Sequence, residues 1–137
     1  MFADTLFAMD WSWWKEYERA VRVEGFAGER VTCADRVVGA VKFPHHGVRF
    51  SGEGAILLAV SRGCSRVILL GYDCKKTAGR AHHHGNHPKG LGNAGKVLEW
   101  PKYLWETSQR LEDVEVVNCT RDTVLTVFPR ARLEDVL

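Results

Sequence analysis

The sequence predicts a three-layer α/β domain, with helices on the faces of a mostly parallel sheet of about four or five strands. Three observations carry that prediction. Ser51-Gly-Glu-Gly54 opens an apolar helix-like run (Ala55 to Val60), Gly63 closes it, and Arg66 to Leu70 follows as a short apolar strand. Elsewhere too, short apolar segments alternate with amphipathic helical ones, which is the signature of βαβ units. Finally, 137 residues suffice for one core but not two, so the chain reads as a single domain over 1–137.

In chain order, Asp4 to Met9 reads as a buried strand, and Asp10 can cap the helix that follows. That helix spans Trp11 to about Val23, with Trp14, Tyr17 and Val21 on one face. Its aromatics pack on a sheet, or Trp11 or Trp13 stacks on a ligand ring. Glu24 to Glu29 is a turn. Arg30 to Cys33 and Val37 to Phe43 read as short strands, the second broken by Pro44-His-His-Gly47. Ser51 is a candidate N-cap for the central helix. Val67 to Leu70 is the clearest strand. Residues 71–96 form a long polar, glycine-rich loop, and a loop longer than about 15 residues inside a domain is usually functional or flexible. Val97 to Glu112 is amphipathic, with Val97, Trp100, Leu104 and Leu111 on one face. Pro101 places the first regular turn near Glu99 to Lys102. Val114 to Asn118 is the last strand, and Leu133 to Leu137 a final short helix.

Composition narrows the function classes. The chain is 45% hydrophobic and 26% charged, with a formal net charge of +2, too small a surplus to point to nucleic acid. No apolar run approaches the ~20 residues of a membrane span, and the start lacks a signal-peptide pattern. The four cysteines (Cys33, Cys64, Cys74, Cys119) form no Cys-x-x-Cys pair, so they are expected to be reduced thiols in a cytoplasmic protein.

Chemistry is expected where the central strand ends on Gly71-Tyr-Asp73, because ligands of open α/β sheets bind beyond the carboxyl ends of strands. The loop just past Asp73 carries four of the six histidines. In an extended segment His82 and His84 point the same way, and His87 follows a Gly-Asn turn that can fold it back. With Asp73 they are three imidazoles and a carboxylate. Three readings stand: zinc, magnesium or another divalent cation held by Asp73, His82, His84 and His87; hydrogen bonding and acid–base work by the same residues without metal; or a solvated polar loop. Lys75, Lys76, Arg80, Lys89 and Lys96 rim this region and would attract an anion. Ser51 and Gly52 open a helix whose free N–H groups suit a phosphate or carboxylate. Asn118, Thr120 and Arg121 can face the same mouth, although Thr120 can equally cap a turn.

These residues also resemble a known group. Ser51-Gly52, the Gly71-Tyr-Asp73 strand end, the His82-x-His84-Gly-x-His87-Pro loop and Val-Asn118-Cys-Thr-Arg121 look like a set of phage-encoded Rossmann-like proteins of unknown function. That set is related to the 6-hydroxymethylpterin pyrophosphokinase-like family and is distantly similar to bacterial sialyltransferases that use a CMP-sugar donor. The opening Ala-Asp-Thr-Leu-Phe-Ala-Met-Asp-Trp-Ser-Trp-Trp resembles the group's second strand and the helix after it. The resemblance implies a Rossmann-like sandwich and a nucleotide or nucleotide-sugar ligand, with Ser51, Gly52, Gly71, Asn118, Thr120 and Arg121 binding it. It implies phosphoryl or glycosyl transfer with Asp73, His82, His84 and His87 at the chemistry, and a host-cell cytoplasmic location. Relatives begin with one more strand and a glycine-rich loop. Without that piece the chain is expected to be transferase-like only if active, and its exposed sheet edge suits a homodimer. The alternative expectation is a shortened, non-catalytic phage protein that binds a host protein. Nucleic-acid binding through the basic rim is a third.

Overall fold

The structure is a computed structural model. It describes residues 3–23, 25–44, 47–76, 79, 87–88, 90–92 and 94–137, with residues 18–23 described by backbone alone. Two compact units emerge, 1–55 and 56–137.

The first unit is built on a three-stranded parallel sheet. Strand β1 (Thr5–Phe7) leads to helix α1 (Trp11–Val23), then to β2 (Glu29–Thr32) and β3 (Val41–Lys42), with β2 in the middle. Asp10 stands where the sequence predicts a cap, and its carbonyl accepts the Trp14 N–H at 3.4 Å. Trp14 is the buried member of the tryptophan cluster, and its indole N–H donates to Ala8 O at 2.9 Å, so the polar end of this large side chain is satisfied. Trp13 packs edge-on against Trp14 and tilted against Tyr17, whereas Trp11 is half-exposed with Lys15 over its ring. The strand expected over Val37 to Phe43 is reduced to Val41–Lys42. Parallel neighbours must be reached by a returning chain, and residues 33–40 are spent on that return, with Arg36 at φ +66°.

Helix α2 (Ser51–Ser61) begins in this unit. Gly54 lies against Phe7: a Cβ there would stand 2.6 Å from two ring carbons, so only glycine lets the helix come this close. The start of α2 is organised by Glu53 rather than by a Ser51 cap. The Glu53 side chain, only 2% exposed, accepts the Arg49 backbone N–H at 2.7 Å and the Arg49 guanidinium at 2.5 and 3.3 Å. Ser51 is the first helical residue, and its Oγ accepts the Met9 N–H at 3.3 Å.

The second unit continues from α2 into a two-stranded parallel sheet, β4 (Arg66–Leu69) and β5 (Glu115–Asn118), in register from Arg66 opposite Glu115 to Leu69 opposite Asn118. Between these strands, Val97–Glu99 is a 3-10 turn and α3 (Trp100–Ser108) follows, with Pro101 in its first turn. That confirms the predicted start. The helix stops four residues short of Glu112. Leu104, Thr107 and Val97 are buried, while Leu98 and Trp105 are exposed. Past β5 the chain returns alongside it, with Arg130 bridging Asn118 in parallel. A last 3-10 turn, Leu133–Asp135, stands where a short helix is expected. The protein is thus a mixed α/β chain with three helices and two small parallel sheets, among the described residues. No helix there is long and apolar enough to cross a membrane.

Candidate functional site

The second unit has an open cleft of about 1260 Å³ just beyond the carboxyl ends of β4 and β5. Leu70, Gly71 and Asp73 enter it from β4, and Thr120 and Arg121 from β5, while Arg130 to Asp135 close the other side. Its position follows from the parallel pairing. Both strands end on the same side, so both following loops open onto the same space.

Hydrogen bonds lock those two loops together. Thr120 Oγ1 accepts the Tyr72 N–H at 2.9 Å, and Thr123 Oγ1 donates to Tyr72 O at 2.6 Å. The Val124 N–H donates to Asp73 O at 3.0 Å. Asn118, fully buried, holds the base of the second loop: its amide N–H donates to Leu125 O at 3.3 Å, and its amide oxygen accepts the Thr120 N–H at 3.0 Å. Gly71 takes φ +75°, a backbone region that favours glycine, which turns the chain out of β4.

The charges around the cleft divide into committed and uncommitted groups. Lys75 pairs with Asp122. Arg132 pairs with Asp135 through two bonds of 3.0 and 2.9 Å, which lowers the Asp135 carboxyl and raises the Arg132 guanidinium from their ordinary values. Arg130 Nη2 donates to the backbone carbonyls of Thr120 at 3.3 Å and Arg121 at 3.0 Å. Among the described residues no carboxylate pairs with Arg121 or Arg130, and no cation pairs with Asp73. In the loop after β4, burial raises the Tyr72 hydroxyl and pushes the Cys74 thiol up to about 11, with the neighbouring Asp73 carboxylate adding to the latter. Cys74 therefore stays a neutral thiol at neutral pH.

In comparisons with known proteins, no family model, no curated protein and no solved structure matches the chain. The site must be read from its own residues. The structure brings Gly71, Asp73, Thr120 and Arg121 to one cleft, with Asn118 holding the loop beneath them. Ser51 and Gly52 belong to the first unit. His82 and His84 lie outside the described residues, as do Arg80 and Lys89. His87 is half-buried and has a partner. Among the described residues no cluster of three or more His, Cys, Asp or Glu side chains could hold a metal ion. Sequence reasoning missed Arg130 and Arg132. Their only signal was the run Arg130-Ala-Arg132 just after Pro129, and a run of charge in an unassigned segment reads as ordinary surface.

Proposed function

We propose that the chain is a Rossmann-like, nucleotide-binding protein that holds a phosphate-bearing ligand in the cleft beyond β4 and β5. The observation that carries this reading is the pairing of uncommitted guanidinium groups with strand-end loops in one open cleft. Parallel strands ending on a common side, a glycine turn and a nearby carboxylate are the setting in which α/β proteins take nucleotides. Each sheet by itself is a piece of the parallel sheet that a Rossmann-like sandwich requires.

The chemistry proposed for this site is group transfer. An acceptor hydroxyl attacks phosphorus or the anomeric carbon of a nucleotide-sugar, and the bond to the nucleotide's phosphate oxygen breaks. The electron pair leaves with the nucleotide, and the hydroxyl proton passes to a base. Asp73 is the candidate for that base or for orienting the ligand, with His82, His84 and His87 as further acid–base groups. A divalent zinc or magnesium ion, if used, would draw on Asp73 and these histidines and would supply charge neutralisation at the phosphate.

Thermal denaturation with CMP, GTP or ATP, with and without magnesium or zinc, tests the reading. A ligand at about one hundred times its Kd stabilises by about 2.7 kcal/mol, a rise of several degrees in Tm for a chain of this size. Asp73→Asn and His84→Ala should reduce that rise. A Tm that no nucleotide moves would shift the reading to a non-catalytic protein acting on a host partner.

A further inference from the structure

We infer that Arg130 is the fixed anchor for the anionic group of the cleft's ligand, with Arg121 as its second, adjustable arm. This rests on the ligand-binding reading of the cleft and adds which residues select the ligand's charge. Arg130 is not placed by chance. Its backbone is drawn against β5 by two bonds, from Asn118 N–H to Pro129 O at 2.8 Å and from Ala131 N–H to Asn118 O at 3.4 Å. Its guanidinium is oriented by the Thr120 and Arg121 carbonyls. Carbonyl partners hold a guanidinium without cancelling its charge, whereas a carboxylate does both. The contrast is beside it: Arg132 lines the same cleft and is spent on Asp135.

Arg121 has the complementary property. Its side chain is exposed, lines the cleft and pairs with no described side chain, so it can adjust to a ligand. One oriented and one adjustable guanidinium, neither paired with a described carboxylate, suit a group with several acceptor oxygens. Planar forks bind such groups through paired, charge-assisted bonds. The chemical class is a phosphate or diphosphate ester.

Titration calorimetry at low salt with CMP, cytidine and inorganic pyrophosphate tests the assignment. CMP and pyrophosphate should bind and cytidine should not. Arg130→Gln should weaken CMP by about tenfold or more, the usual scale of a charge-assisted bond, and Arg130→Lys should recover only part, since charge returns without the fork. Arg121→Gln, whose side chain bonds no other described residue, should also weaken CMP and retain the wild-type Tm, which keeps the test valid if Arg130→Gln unfolds. The double change Arg132→Gln with Asp135→Asn removes a neutral pair and should leave binding within about twofold. If CMP binds the wild type and both single glutamine variants alike, the arginine assignment is overturned while the nucleotide reading stands. If neither CMP nor pyrophosphate binds the wild type, both are overturned.

Discussion

Cys74 and Cys64 stand at opposite ends of thiol behaviour in this chain. Cys74 is 3% exposed, adopts φ +53° and has its thiol pushed up to about 11 by burial and by Asp73. Cys33 is buried and raised in the same direction, by burial and then by Asp10, and Cys119 is buried as well. Cys64 alone among the four is exposed. A thiol reagent at pH 8 should therefore find one fast-reacting group in the native protein. Cys64→Ser should remove it, and denaturant should expose the rest. Two or more fast thiols in the native protein would contradict the burial described. The same shifts give a pH dependence. The fold favours the neutral thiols, so their contribution to stability is complete below the ordinary thiol range. It is lost as pH rises from there towards about 11. Tm should fall over that window, and Cys74→Ala should flatten the fall without abolishing it, because Cys33 contributes with the same sign. The sequence indicates unpaired thiols from the absence of scaffold spacing. It cannot indicate which are buried, because burial comes from neighbours distant in the chain.

At the scale of elements, what the sequence makes legible and what it hides have different physical origins. Helix α1, β4 and β5 are legible because apolar periodicity within a dozen residues determines them, and Pro101 marks the start of α3 for a local steric reason. The clasp between the cleft loops is hidden, because Thr120 and Tyr72 are 48 positions apart and only the pairing of β4 with β5 brings them together. Asn118 shows both sides. Its place at a strand end is readable, but both ends of its amide turn out to serve the loop beneath the cleft. Helix α2 is the instructive intermediate. Its apolar run is evident, whereas the element that starts it is the Glu53 carboxylate, and charged residues are seldom read as buried. Glu53→Ala should destabilise by about 2–4 kcal/mol, because it strands the Arg49 N–H and guanidinium that the carboxylate satisfies. Glu53→Gln keeps one acceptor and should cost less. Chemical denaturation of both variants reads the difference, and equal stability of Glu53→Ala and wild type would mean that water satisfies Arg49 equally well.

At the scale of the whole molecule, the boundary between the two compact units falls inside α2, between Ala55 and Ile56. Five of its eleven residues lie on one side and six on the other, and fragments of that length are far too short to hold a helix alone. Unfolding the first unit would remove Glu53 and Gly54 from the partners that start the helix. Unfolding the second would expose Ile56 and Leu58, both buried in the native chain. Each unit thus depends on an element that the other helps to form, and cooperative loss of both is expected. Calorimetry should show one transition whose van't Hoff and calorimetric enthalpies agree, and Glu53→Ala should move that whole transition downwards. A nucleotide held at the proposed site would be bound by lining residues of the second unit, yet it should raise the same single transition, since linkage acts on whatever unfolds together. Two separable transitions, with only the later one moved by ligand, would mean that α2 breaks at its middle and that the cleft is stabilised independently of the first sheet.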